Sequence, residues 1–562
     1  MAKIKYILIF LSLFLLIFIC FFLSTNCKNN DLSSNKYPGA NVILILIDTL
    51  RADHLGCYGY SRNTSPEIDK LANEGIIFKN MLAQTSWTLP GTASILSGLY
   101  PKNHGANTSK DRLSEEINLL SEILGKHGYH SYAFVGNLYV TPVFGFDQGY
   151  KKFFSFPDLN LHTTSDKIND LLLKFIQQLE DTSNNFIYVH YVDPHAPYIP
   201  KEKHFSKSNK GIFSIDFFRS KAIYNMSEEM RSRVIEEMIN AYDDEILFND
   251  KMIGNLLQAL KKKNMYSNSL IIITSDHGEE FFEHEGLQHG RTLYEEQLNV
   301  PLIIHLPDKV HRPIYKIANQ VDIYPTILSL LGIPIPEYID GINLLNNKKH
   351  TKPYSYAELY KDRFVFSSIQ TSKDKLIERN NLPPKEKNKY RWFKKKADIE
   401  TGEDSLQLII SSLYKDRTIQ VLSDGNPIDE FVITPESKMF NIALPKLNRK
   451  KIVTIRSLTP CQVPKNLGIN QDTRCLAFRI FDSKNVNDKN LLGELYNEYY
   501  SLTNDPGERN NQYNHNKSKK IIILLRKKLR EYLLNKSFIP SIKKPIYFNK
   551  EQLKALKALG YI

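Results

Sequence analysis

Residues 41–48 read NVILILID, an almost unbroken apolar run of strand length that finishes on an acid, Asp48. A strand that is apolar on both faces must be covered on both, as in a parallel sheet held between two helix layers. A carboxylate at its C-terminal end then sits at the sheet edge where open α/β folds bind ligands. The same pattern recurs in HSYAFVG (130–136), NNFIYVHYVD (184–193), SLIIITSDHG (269–278) and VPLIIHLP (300–307).

Helix-like segments separate these runs: SPEIDKLANEG (65–75), INLLSEILGKHG (117–128), TSDKINDLLLKFIQQLE (164–180) and a long one over residues 233–263. Alternating strands and helices predict an α/β sandwich around a mostly parallel sheet. From Thr351 onward the strand candidates become shorter, for example TIQVLS (418–423), DEFVITP (429–435) and KIVTIRS (451–457), with basic stretches such as PPKEKNKYRWFKKK (383–396) between them. This reads as a more antiparallel second region, closed by a basic helix over 517–536 and a short one over 549–562.

The 562 residues, 42% of them hydrophobic, suffice for one large domain and a smaller one, and the composition is that of a globular protein. A formal net charge of +13 points to anionic partners, but no DNA- or RNA-binding motif accompanies it, so nucleic acid is not expected. None of the five cysteines forms a zinc pattern; Cys461 and Cys475 would suit a disulfide if the chain leaves the cytoplasm. Residues 6–24, YILIFLSLFLLIFICFFLS, follow the basic MAKIK and approach the length needed to span a bilayer as a helix. Cys27 offers lipid attachment as the alternative. Both readings make residues 1–37 an anchor or lipoprotein signal with a linker, and the remainder extracytoplasmic and tethered to a membrane.

Chemistry-bearing side chains gather at the strand ends and in the turns after them: Asp48, Thr88 in SWTLPG, Asp193 and His195 in YVDPHAPY, and Asp276 with His277 in TSDHG. A lone acid ending a strand is commonly a helix cap, so the reading rests on the set and its order. The motifs NVILILIDTLRADHLGCYGY (41–60), SWTLPGTASILSGLYPKNHG (86–105), YVHYVDPHAPYIP (188–200), the stretch IIITSDHG to VPLIIHLP (271–307), residues 320–345 and ELYNEYYSLTNDPGERNN (494–511) run in this order. Together they resemble the sulfatase family of the alkaline phosphatase superfamily. The resemblance implies an alkaline-phosphatase-like α/β core over 38–350. It also implies a smaller C-terminal α+β subdomain over 351–562, in which 380–490 reads as an insertion.

It further implies a divalent metal. Asp48, Asp276 and His277 match its ligands, and Thr88 matches the nucleophile that also touches it. His195 matches a substrate-contacting histidine, and His289 falls beside a position where many sulfatases have lysine. Oxygen ligands with one imidazole favour zinc or manganese, with calcium left open. A second metal held by Asp193 with His195, His284 or His289 is not decided by spacing.

Three departures from the family stand out. Where formylglycine-forming members need Cys or Ser in a Cys/Ser-x-Pro-x-Arg string, this chain has Thr88, Pro90 and Thr92. Thr49 replaces an acid beside Asp48, and Asn137 and Tyr139 replace the Lys and His of a GKWHLG string. A formylglycine hydrate has two hydroxyls and releases sulfate by collapsing to an aldehyde; threonine has one. The expectation is therefore a hydrolase or transferase acting on phosphate or sulfate esters, with Thr88 attack on phosphorus preferred. The alternatives are a sulfuric ester hydrolase acting on sulfated glycans or aryl sulfates, and a non-catalytic binding protein with the same fold. The expected substrate is an anionic ester, an envelope polysaccharide or lipid, and the oligomeric state is left open.

Overall fold

The computed structural model describes residues 36–534 apart from 156–163, 208–216, 219–221, 347–352, 362–363, 382–389, 394–395, 402–403, 413–416, 435–437, 446–450, 459–477, 482–490, 494–496 and 514–519. The apolar N-terminal run, Cys461, Cys475 and the short closing helix expected over 549–562 lie outside the described residues. Among the described residues, no helix is long and apolar enough to cross a membrane.

The strands run β1 (Asn41–Ile47), β2 (Gly75–Leu82), β3 (His130–Val135), β4 (Lys152–Phe154), β5 (Asn185–Tyr191), β6 (Ser269–Thr274), β7 (Glu280–Phe281), β8 (Leu287–Gln288), β9 (Asn299–His305) and β10 (Arg312–Asn319). Eight of them form one sheet in the order β10-β2-β9-β6-β1-β5-β3-β4, and β7 with β8 makes a small ribbon beside it. All pairings in the large sheet are parallel except those of β9, which runs antiparallel to both β2 and β6. The VPLIIHLP run thus differs in direction from the other strands.

β1 shows why the sheet is central. Val42, Leu44 and Leu46 enter one apolar core, and Ile43, Ile45 and Ile47 enter a second core on the opposite face. Successive side chains on a strand point to opposite faces, so an unbroken apolar run fills two layers at once. Each such side chain contributes about 1.5–3 kcal/mol by leaving water. The helix Ser165–Gln178 covers one face through buried Ile168, Leu172 and Ile176, spaced four apart. The long helix Glu228–Lys262 packs against the same core through Tyr242, Ile246 and Ile253.

Beyond the core, β11 (Ser355–Lys361), β12 (Phe364–Gln370) and β13 (Asp374–Asn381) form an antiparallel sheet whose fourth strand is Asn497–Ser501. The helix Lys520–Leu534 packs Ile522, Leu525 and Leu529 with Ile369, Leu376 and Tyr499. Because β13 pairs with Asn497–Ser501, the chain leaves this sheet and rejoins it at neighbouring positions. The strands between residues 390 and 493 join two other antiparallel sheets, of four and five strands. These share a separate core that includes Ile399, Leu408, Ile419, Val421, Val453 and Ile455.

Candidate active site

β6, β1 and β5 lie side by side, with Leu46 in register with Thr274 on one neighbour and His190 on the other. Their C-terminal ends therefore bring Asp48, Asp276 and His190 together, with ligand atoms all within 4.8 Å of one another. All three are fully buried. The backbone turns immediately after Asp48 through Thr49, whose φ of 58° is left-handed. A β-branched residue there costs on the order of 1–3 kcal/mol. The turn is held by Tyr242, whose hydroxyl donates to the Thr49 carbonyl at 2.7 Å.

Thr88 is the first residue of the helix Thr88–Ser97, after an extended Trp87. The helix can approach because residue 91 is glycine: a Cβ there would lie 2.7 Å from the Asp276 carbonyl oxygen. This seats the helix N-terminus, with its partial positive charge, against the acids. The Thr88 hydroxyl comes to 3.2 Å from His277 Nε2. His277 Nδ1 lies 2.9 Å from the Gly278 carbonyl, which can only accept, so Nδ1 carries the proton and Nε2 presents a lone pair. That lone pair is 3.6 Å from Asp48 Oδ1 and 3.5 Å from Asp276 Oδ2.

These two carboxylate oxygens and His190 Nε2 are buried and accept or donate no hydrogen bond of ordinary geometry. Buried polar atoms without partners are rare, and here they converge. Burial, reinforced by Asp276, pushes the Asp48 carboxyl well above the usual range, while Asn137 opposes this by donating to Asp48 Oδ2 at 2.5 Å. Burial pulls His277 and His190 down to about 4, so both imidazoles are neutral at neutral pH. Two carboxylates and the His190 imidazole around one point, with the His277 lone pair 3.6 and 3.5 Å from the same carboxylates, are a donor set that fits a divalent cation.

His195 and His289 complete the cluster. The His289 ring lies 4.4 Å from His277 and 4.9 Å from His195, centroid to centroid. His195 Nδ1 donates to the Ala196 carbonyl at 2.5 Å. His289 Nδ1 is 3.0 Å from Glu279 Oε1, and Tyr198 donates to Glu279 Oε2 at 2.9 Å. Burial raises the Glu279 carboxyl to about 7 and lowers His195 and His289 to about 4. His190 and Glu279 were not among the residues singled out from sequence. The available signals were a histidine inside an apolar strand and an acid two positions after His277.

Asp193 has a different place from the one considered for it. Its Oδ2 accepts from both the backbone N–H and the hydroxyl of Ser165, each at 2.7 Å, which fastens the start of the Ser165–Gln178 helix. His284 is also engaged elsewhere: Nδ1 pairs with Glu296 at 2.8 Å and Nε2 donates to the Glu508 carbonyl at 3.0 Å. Of the candidates for a second metal, only His195 and His289 stand by the cluster. Tyr139 packs edge-on against Trp87 at 5.5 Å, and Thr92 is buried one helical turn beyond Thr88.

Proteins of known sequence are similar to this chain. An arylsulfatase of Clostridium perfringens is 24% identical over 460 residues, covering 67% of this chain and 92% of that protein. An ulvan-active sulfatase of Formosa agariphila is 24% identical over 544 residues, covering 87% and 85%. An N-acetylglucosamine-6-O-sulfatase of Bacteroides thetaiotaomicron is 24% identical over 406 residues, covering 57% and 72%. A protein solved in complex with its substrate D-glucosamine-2-N,6-O-disulfate superposes with a TM-score of 0.59 at 18% identity, covering 89% of this chain and 99% of that one, which supports the same fold. The sulfatase family profile matches residues 40–333, more than half of the chain and all of the strands that carry the cluster. By its fold, its motif order and this match, the chain belongs to the sulfatase family.

Proposed function

We propose that the chain is a divalent-metal-dependent hydrolase of sulfate esters, acting on sulfated sugars or related anionic envelope polymers. The observation that carries the proposal is the convergence of Asp48, Asp276 and the Thr88 hydroxyl on the His277 lone pair. The relatives support sulfate as the ester, since they are named for sulfatase activity on aryl or glycan esters. This reverses the preference for phosphorus drawn from Thr88, the other departures from the family pattern and the ligand set. The apolar run over residues 6–24 supports an extracytoplasmic, membrane-anchored location.

Asp48, Asp276 and His277 would hold the ion, with His190 and Thr88 beside it, and zinc or manganese suits these donors. When bound, such an ion polarises ester oxygens and acidifies a neighbouring hydroxyl. With the His277 Nε2 lone pair given to the ion, the Thr88 proton would pass to the Asp48 carboxylate, which Thr88 also faces and which keeps further lone pairs, as the oxygen attacks sulfur. The bond from sulfur to the alcohol oxygen breaks, and the alcohol leaves with the proton that Thr88 gave up. Water then attacks the sulfo-threonine at sulfur, hydrogen sulfate departs, and Thr88 recovers its hydroxyl. His289, held by Glu279, and His195 stand in ring contact with this centre and serve as proton carriers.

A second reading, hydrolysis or transfer at phosphorus, is favoured by one observation: Thr88 has a single hydroxyl and lacks the second one through which a formylglycine hydrate expels sulfate, whereas in-line attack by water or an alcohol releases a phospho-threonine. Sulfate release from glucosamine 6-sulfate and from 4-nitrophenyl sulfate, read by ion chromatography, decides between them. Release that disappears in Thr88→Ala is the expected result. Phosphate-ester turnover with no sulfate release would overturn the sulfate reading.

A further inference from the structure

We infer that Gln320, which lends no atom to the donor set, is a positioning residue. With Gln84 it forms a buried amide clasp that fixes the nucleophile Thr88 relative to the turn carrying Asp276 and His277. The inference rests on the reading above for the roles of Thr88 and the ion.

Gln320 opens the short turn Gln320–Asp322 ahead of the helix Ile323–Leu331. Gln84 follows β2 by two positions and precedes Thr88 by four. Both residues are fully buried. Gln320 Nε2 donates to the Ser275 and Asp276 carbonyls at 2.7 Å each, and Gln320 Oε1 accepts the Gln84 backbone N–H at 3.2 Å. Gln84 answers in kind. Its Oε1 accepts the Val321 N–H at 3.1 Å, and its Nε2 donates to the Leu82 carbonyl at 3.1 Å and to Asn319 Oδ1 at 3.2 Å. Backbone carbonyls can only accept and backbone N–H groups can only donate, so the orientation of both amides is fixed by their partners.

The Asp276 carbonyl is where the two halves of the site meet. Gln320 donates to it, and the same oxygen is the one that a Cβ on residue 91 would meet at 2.7 Å. Gln320 therefore holds the surface on which the Thr88–Ser97 helix seats. The Asp276 peptide also links the two ligands, because the His277 N–H donates to Asp276 Oδ1 at 3.0 Å. From the Asp48 side the turn is held by Ser275, whose hydroxyl accepts the Leu50 N–H at 3.0 Å and donates to the His277 carbonyl at 2.6 Å. From the Thr88 side it is held by the clasp. The Gln84 carbonyl in turn accepts the Glu358 N–H of β11 at 2.8 Å, which ties the C-terminal sheet to the same point. Loss of the Gln320 amide leaves two carbonyls and one N–H buried without partners, and the turn must move to relieve them. A shift of about 1 Å between reacting groups costs on the order of a hundredfold in rate.

Gln320→Met keeps the length of the side chain and removes its donors and acceptor. Calorimetric titration of the full chain with zinc should show affinity weakened by at least about tenfold, as when an outer partner of a metal ligand is lost. With 4-nitrophenyl sulfate, kcat should fall by at least about tenfold while KM stays within about threefold. A merely structural role would lower the urea midpoint and leave the zinc affinity and kcat of the folded protein unchanged. Gln84→Met separates the two halves, since Gln320 keeps its bonds to Ser275 and Asp276. Its zinc affinity should stay within about twofold while kcat falls by at least about fivefold. Should Gln320→Met fail to fold, Gln320→Asn, one methylene shorter, is titrated instead, with at least about a fivefold loss of zinc affinity expected. Parental zinc affinity in the folded Gln320 variant, or parental kcat in Gln84→Met, overturns the inference even if sulfate is hydrolysed. Weakened zinc binding in the Gln320 variant, with no ester turned over by the parent chain, upholds the clasp and removes the sulfatase reading.

Discussion

His277 Nε2 stands 3.2 Å from the Thr88 hydroxyl, although 189 positions separate the two residues. The contact exists because a strand end and a helix start meet at one sheet edge, and it holds the Thr88 hydroxyl beside the acids. Replacing Thr88 by alanine is expected to lower kcat by at least about a thousandfold, as loss of a nucleophile does elsewhere. Thr88→Ser, which keeps the hydroxyl, should stay within about tenfold. Steady-state kinetics with 4-nitrophenyl sulfate reads both, and full activity in Thr88→Ala would remove the residue from the chemistry.

Asp276 contributes an unpartnered buried oxygen 3.5 Å from His277 Nε2. Asp276→Asn keeps the shape and removes the charge, so zinc affinity should fall by more than about a hundredfold, beyond the loss typical of outer partners. Isothermal titration with zinc measures this directly. An unchanged dissociation constant would place the metal elsewhere.

Gly91 is the close contact between the helix and Asp276. A methyl group at this position meets a backbone oxygen at 2.7 Å, and the helix start must shift to relieve it. Overpacking of this kind costs about 1–3 kcal/mol, so Gly91→Ala should lower the urea midpoint and depress kcat more than KM. A variant with wild-type stability and rate would show that the helix position is not critical.

His284 gives stability a pH dependence. Burial disfavours its charge, but the Glu296 carboxylate at 2.8 Å outweighs burial and raises the imidazole from 6.5 to about 9. A group raised in the folded state contributes fully below its unfolded value and loses that contribution as pH climbs through the folded one. The chain should therefore be less stable at pH 9.5 than at pH 6.5 in urea unfolding, and His284→Gln should remove much of the difference. An identical pH profile in the variant would mean that His284 is not charged in the fold.

The core was legible where burial on both faces leaves a compositional mark, as in NVILILI and SLIIIT. β2 was not singled out, since Lys79 and Asn80 interrupt its apolar run where the strand is only partly covered. The reversed direction of β9 leaves no trace in its side chains, because the alternation of faces is the same either way. At the site, motif order identified Asp48, Thr88, Asp276 and His277 as a group, and the fold brings them together. His190 was hidden inside an apolar strand, and Glu279 resembled one more acid in an acidic turn. Asp193 looked like a ligand because its neighbours in sequence are ligand types; its hydrogen bonds to Ser165 are visible only in three dimensions.

The most direct measurement is an anomalous difference map at the zinc edge from crystals of the zinc-loaded chain. The account predicts a strong peak within coordination distance of Asp48, Asp276 and His277, adjacent to Thr88. Zinc-loaded crystals with no peak there, or with their dominant peak among Glu280, His284 and Glu296, whose ligand atoms also lie within 4.8 Å of one another, would contradict it.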